Sequence, residues 1–188
     1  KIPAKYLKEL DYLIIHSIAQ LAEYKGRPVG SWGDIGCFSF YANKILTTGE
    51  GGMLTLKDHK LADRARSLKS LAFGEANKFM HVDLGYNYRL TNLQAAIGCA
   101  QLDRIGDIIE RKRRTARRYT ELLSGEKWLQ LPVQKAYARN VYWMYHVALR
   151  GVATSARSDV MSALAERGIE TREGFIPSNQ QDIFQGQG

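Results

Sequence analysis

Gly33-Asp34-Ile35-Gly36-Cys37-Phe38-Ser39-Phe40-Tyr41-Ala42-Asn43-Lys44-Ile45-Leu46-Thr47-Thr48-Gly49-Glu50-Gly51-Gly52 reads as a strand, a lysine and a turn in succession. Gly36 to Tyr41 is a strand candidate, and Gly52 to Leu56 is the next. Between them, Thr47 to Gly52 is rich in glycine, the signal of a tight turn. Before this stretch, Tyr12 to His16 is a short apolar run of the kind that forms a buried parallel strand. After it, Asp58 to Leu71 has helical spacing. Leu61, Ala65 and Leu68 share one face, with Lys60, Arg64 and Lys69 off it. Strands followed by a helix in this order predict an α/β fold.

Ala72 to Leu90 is predicted as a loop with Gly74, Gly85 and several aromatics, and a loop of this length is commonly functional. Thr91-Asn92-Leu93-Gln94 matches a capping box, in which Thr caps and Gln reaches back. Leu93, Ala96, Ile97, Ala100, Ile105, Ile108 and Ile109 then recur at helical spacing, which predicts a long helix to Leu123, bent near Gly106. Val141 to Leu149 reads as a strand rich in aromatic and β-branched residues. Val160 to Glu166 reads as a helix ended by Gly168. The pattern divides the chain into a larger part, 1–124, that includes the long helix, and a smaller α+β part, 125–188.

The chain has 188 residues, 45% of them hydrophobic, and a net charge of +8. That size and composition fit a globular protein with a buried core. The positive charge invites a nucleic-acid or membrane-surface reading. Its densest run, Arg111-Lys112-Arg113-Arg114 with Arg117 and Arg118, goes around several faces of a predicted helix and makes no single stripe, so it reads as a solvated surface. Two cysteines, Cys37 and Cys99, make no disulfide framework and read as buried packing residues. Trp32, Trp128 and Trp143 likewise read as packing residues. The four histidines, His16, His59, His81 and His146, lack metal-ligand spacing, and no metal is expected. Neither an apolar run of membrane-spanning length nor a signal peptide is seen. The start at Lys1-Ile2-Pro3 and the end at Phe184 to Gly188 both read as cut.

Residues 33–52 closely resemble the cofactor-lysine signature of the DegT/DnrJ/EryC1/StrS family of sugar aminotransferases. His81-Val82-Asp83-Leu84-Gly85-Tyr86-Asn87-Tyr88-Arg89-Leu90-Thr91-Asn92-Leu93-Gln94-Ala95-Ala96 resembles the family's second signature. Gly168 to Arg172 and Phe175-Ile176-Pro177 resemble its C-terminal domain. The resemblance runs from about residue 12 to 184. It implies the fold-type I architecture of pyridoxal 5'-phosphate (PLP) enzymes, with the N-terminal part of the large domain missing from these residues. It also implies transfer of an amino group from glutamate to a nucleotide-linked 4-keto-6-deoxy sugar, in the synthesis of polysaccharide or glycan precursors in the cytoplasm. The ending Thr171 to Pro177, with Asn179, is similar to that of members acting on a GDP-linked keto-deoxymannose. A homodimer with shared active sites is implied as well. No nucleic-acid or membrane partner is expected.

Lys44 is the residue that the resemblance makes catalytic. A lysine just beyond a strand can bond covalently to the PLP aldehyde. It needs partial desolvation or a neighbouring cation to lose its proton near neutral pH. Taken alone, Lys44 would be a surface lysine beside a hairpin; the surrounding motif argues otherwise. Ser39, five residues earlier, occupies the family's position for a contact with the cofactor phosphate, and a hydroxyl is a fitting donor. Asn87 is the family's asparagine that reaches the cofactor phosphate of the partner subunit. In Ile14-Ile15-His16-Ser17-Ile18-Ala19-Gln20, Gln20 falls at the family's carboxamide position and Ser17 stands where the family carries Asp. A hydroxyl there brings no charge to hold a proton on the pyridine nitrogen. Two other readings therefore stay open: a catalytically inactive fragment or relative of the family, and a basic nucleic-acid-binding module.

Overall fold

The structure, a computed structural model, describes residues 14–17, 20–77, 79–153 and 155–184. In chain order the strands are β1 (Ile14–Ser17), β2 (Glu23–Tyr24), β3 (Arg27–Pro28), β4 (Ile35–Ser39), β5 (Gly52–Leu56), β6 (Leu129–Gln130), β7 (Ala138–Arg139) and β8 (Ala148–Leu149). The helices are α1 (His59–Lys69), α2 (Asn92–Leu102), α3 (Ile105–Leu123) and α4 (Ala156–Ala165). The described residues cluster into two compact units. One runs up to Arg117 and takes in Gln134–Trp143; the other is Arg118–Val133 with the residues from Met144 onward.

The first unit is built on a mixed sheet in the order β1-β4-β5. β1 and β4 are parallel, with Ile14 opposite Ile35 and Ser17 opposite Phe38. β5 returns antiparallel on the other side of β4, with Ile35 opposite Leu56 and Ser39 opposite Gly52. Tyr12 and Leu13 of the expected first strand lie outside the described residues. A second small sheet, β3-β2-β7, joins Tyr24 to Arg27 and Ala138 in antiparallel register.

α1 begins where Asp58 Oδ1 accepts the Leu61 N–H at 2.9 Å, a side-chain cap on the free donors of the first turn. α2 begins with the expected capping box. Thr91 Oγ1 accepts the Gln94 N–H, and Gln94 Oε1 accepts the Thr91 N–H. The single long helix expected over 91–123 is two helices. Its break falls at Asp103 and Arg104, before Gly106, where Arg104 N donates to Gln101 O in a tightened turn. The apolar stripe predicted on it is divided in fate. Ile109 is buried and Ile105 and Ile108 pack beside it, whereas Leu93 and Ile97 are exposed.

The core of the first unit is Ile45, Ile109 and Val141, packed with Ala22, Ile105, Ile108 and Trp143. Of the expected strand over Val141 to Leu149, only Ala148 and Leu149 pair, with β6 in the second unit. Asn140 is the physical reason. Its Oδ1 accepts the Tyr142 N–H at 2.8 Å, an Asx turn that competes with strand pairing, and Tyr142 sits at φ +50°. In the second unit, α4 ends as expected at Gly168. Gly168 N donates to Ala165 O and Ile169 N to Leu164 O, both at 2.9 Å, the hydrogen bonds of a Schellman motif. Cys37 is half-buried and Cys99 is exposed, which corrects the expectation that both are buried. Among the described residues, no helix is long and apolar enough to cross a membrane.

Ile109 is 1% exposed at the centre of this core. Truncation to Ala removes packed methyl and methylene groups and leaves a cavity. An Ile109→Ala variant is expected to lose about 3 kcal/mol of unfolding free energy. Urea unfolding followed by circular dichroism checks this, and a loss below roughly 1 kcal/mol would mean that the core lies elsewhere.

Candidate active site

In open α/β sheets, ligands bind beyond the carboxyl ends of the parallel strands. Here those ends are the backbones of Ser17, closing β1, and Ser39, closing β4. Gln20 follows the first, and the connection 40–51 that carries Lys44 follows the second.

That connection is closed on itself. Phe40 N donates to Gly51 O at 2.8 Å and Thr48 N to Phe40 O at 3.0 Å. Thr47 Oγ1 donates to Phe40 O and accepts the Gly49 N–H, and Thr48 Oγ1 donates to Glu50 O at 2.6 Å. Gly51 has φ +141°, and a Cβ there would meet Leu90 and Thr48 below 3.0 Å, so both conformation and space require glycine. Lys44 sits on the turn at the far side of this loop, its own N–H donating to Tyr41 O at 2.9 Å. Ile45 and Leu46 behind it are buried. The loop is therefore anchored by apolar side chains on one side and leaves Lys44 half-buried on the other.

The Lys44 ammonium lies 3.7 Å from the centre of the Trp143 ring. The indole N–H donates to Asn43 O at 2.8 Å, which fixes the ring against the lysine turn. A cation over an indole face is attracted to it. Burial acts the other way and holds the Lys44 pKa below the ordinary lysine value. Trp143, read from the sequence as a packing residue, lies against Lys44. It stands just beyond the Asx turn at Asn140, and no signal in the residue pattern marked its contact with Lys44.

Gln20 is buried, and its carboxamide is taken up by backbone. Nε2 donates to Ser39 O at 2.8 Å and to Leu46 O at 3.0 Å, and Oε1 accepts the Leu46 N–H at 2.8 Å. One side chain thus ties the end of β4 to the loop of Lys44. Ser39 is half-buried, and its Oγ accepts the Tyr41 N–H at 3.3 Å. The structure brings Gln20, Ser39 and the lysine loop together. Asn87 lies apart on an exposed segment laid along the end of α1, bridged to Ser70 and flanked by Tyr86 N to Leu68 O and Tyr88 N to Lys69 O. The residues after it, Tyr88 to Leu90, line a cleft of about 320 Å³ with Glu50, Gly51, Gly52 and Gln94.

A half-buried primary amine of lowered pKa, with a serine hydroxyl at the neighbouring strand end, is a donor set suited to an aldehyde that carries a phosphate. Among the described residues there is no group of three or more His, Cys, Asp or Glu that could hold a metal ion. Part of the basic run is used within the chain. Arg117 pairs with Glu110 at 2.6 Å, Arg118 with Glu121 at 3.5 Å, and Arg113 donates to Asn140 O. Arg117 holds the Glu110 carboxyl below the usual carboxylate range.

The state of the Lys44 amine is open to titration. Acetylation of Lys44 across a pH series, followed by peptide mapping, is expected to show a midpoint below that of a short lysine peptide. Unfolding in urea is expected to return it to the peptide value, because the shift comes from burial. Equal midpoints in the folded and unfolded chain would contradict the burial of the amine.

A model of the DegT/DnrJ/EryC1/StrS aminotransferase family matches residues 15–188. The chain is 38% identical over 169 residues to GDP-perosamine synthase of Caulobacter vibrioides, a match covering 88% of this chain and 45% of that protein. It is 37% identical over 175 residues to UDP-N-acetyl-3-dehydro-alpha-D-glucosamine 3-aminotransferase of Acidithiobacillus ferrooxidans, covering 91% of this chain and 45% of that one. Among solved structures it matches the aminotransferase TlmJ from Streptoalloteichus hindustanus with a TM-score of 0.87 and 31% identity, covering 100% of this chain and 51% of that one. The chain spans about half the length of the curated relatives it matches.

Proposed function

The chain belongs to the DegT/DnrJ/EryC1/StrS aminotransferase family, and from that premise we propose that it contributes the reactive lysine of a PLP-dependent enzyme that aminates a nucleotide-linked keto sugar. The observation that carries the proposal is the placement of Lys44, half-buried on a closed loop beyond the ends of two parallel strands. PLP, when bound, draws off the electron pair left when a proton departs from the carbon beside the amino nitrogen. Lys44 would hold the cofactor, and Ser39 Oγ would donate to its phosphate. Gln20 and Ser17 stand on the ring side of that arrangement by resemblance. Asn87 would serve the phosphate of the partner subunit.

Within that scheme Lys44 Nζ does the acid–base work. As a free amine it takes a proton from carbon, and as an ammonium it returns one. A pKa held below the ordinary lysine value raises the share of free amine at neutral pH. Trp143 covers the amine on one face and keeps water from it there. Glutamate is the proposed amino donor. A GDP-linked 4-keto-6-deoxy sugar is the proposed acceptor, in line with the perosamine synthase relative and with the ending Thr171 to Pro177 and Asn179. The likeness to a UDP-sugar aminotransferase makes the uridine nucleotide the alternative to test.

A homodimer is part of the proposal. Leu93 and Ile97 on α2 are 80% and 53% exposed, and Phe79, Met80 and Leu84 on the preceding loop are exposed as well. Exposed large apolar side chains in one stretch of chain support an interaction surface, and the exposed Asn87 lies within the same stretch.

A second reading, a catalytically silent relative, is favoured by Ser17 at the family's Asp position. One experiment separates the two. The purified chain with added PLP is expected to show a visible absorbance band that borohydride removes, leaving the reduced cofactor on Lys44 in a peptide map. A Lys44→Ala variant is expected to lose the band. Label on other lysines with Lys44 free would refute the assignment, and no band at all would favour the silent relative.

A further inference from the structure

Three glutamine carboxamides converge on the loop that carries Lys44, and each meets its backbone. Gln20 spans both polar groups of Leu46: Oε1 accepts its N–H at 2.8 Å and Nε2 donates to its C=O at 3.0 Å. Gln101, on α2, does the same for Thr47. Its Oε1 accepts the Thr47 N–H at 3.2 Å and its Nε2 donates to the Thr47 C=O at 2.7 Å. Gln94, two turns earlier on the same helix, donates to Glu50 O at 3.2 Å.

Leu46 and Thr47 lie in the irregular part of the loop and pair with no strand. A carboxamide takes up both polar groups of each, because an amide side chain both donates and accepts. The approach of α2 is close. A Cβ on Gly98, between Gln94 and Gln101 on the same face, would lie 3.0 Å from Thr48 Cγ2. Leu46 and Thr48 are buried, so an unpaired backbone group here would be costly.

We propose that Gln20 and Gln101 are positioning residues that fix the place of the Lys44 amine by pairing the backbone polar groups of Leu46 and Thr47. The proposal rests on reading Lys44 as the reactive lysine. Leu46 is two residues from it, with the core residue Ile45 between, so the backbone there has no slack. Gln20 also ties Ser39 O, which sets the distance from the strand end to the lysine.

The test is the reactivity of the amine, read without cofactor. The chain is acetylated briefly, and the rate at Lys44 is mapped against Lys57 and Lys60 as references. In Gln101→Leu, which keeps a good helix former on α2 and removes both hydrogen bonds to Thr47, the Lys44 rate is expected to rise up to roughly thirtyfold, the scale of two net hydrogen bonds lost. The reference rates are expected to hold, and hydrogen exchange of the Thr47 amide is expected to quicken. Gln101→Glu keeps the acceptor for that amide and is expected to restore the Lys44 rate in part. Gln20→Leu is expected to act like Gln101→Leu. If Gln20→Leu fails to fold, Gln101→Leu decides alone.

An unchanged Lys44 rate in a folded Gln101→Leu chain overturns the proposal. So does a rise shared by all three lysines, which would mark general loosening. Failure of Lys44 to take up PLP would sink the functional reading and leave this measurement intact.

Discussion

The loop between β4 and β5 buries backbone without forming a ladder, and the first unit is arranged around that need. A buried amide or carbonyl must find a partner. The ends of the loop answer one another, through Phe40 with Gly51 and Thr48. Its middle is answered by side chains from other elements. Ile45, meanwhile, is drawn into the core with Ile109 and Val141. With Ile45 inward and its neighbours tied, the lysine before it has one direction left.

The same economy of parts appears at Trp143. Val141 seals the core, Asn140 turns the chain through its own side chain, and Trp143 emerges against Lys44. Packing, turn and site occupy four consecutive residues. A change at any of them moves the others, and core stability and the setting of the lysine are for that reason hard to separate by mutation.

The sheet of β1, β4 and β5, the first helix and the start of the second were legible because local signals and tertiary structure agree there. Gly52 to Leu56 is strand as read, and Thr91 with Gln94 forms its capping box. The motif singled out Lys44, Ser39 and Gln20, and the structure brings Gln20, Ser39 and the lysine loop together. What was lost depends on side chains that compete with periodicity. Asn140 breaks a stretch whose composition favours strand. Gln101, polar and unremarked in a helical pattern, turns out to hold Thr47. Leu93 and Ile97 have the spacing of a core face and lie exposed, because an apolar stripe says that something covers it and is silent on what.

α2 has two working faces about a quarter-turn apart. One carries Gln94, Gly98 and Gln101 toward the lysine loop. The other carries Leu93 and Ile97 outward. The two faces belong to one helix, so a partner on the outward face would bear on the element that holds the loop. Were a second copy of the chain to supply that surface, as the proposed homodimer would, the order of the lysine loop would be linked to the concentration of the chain.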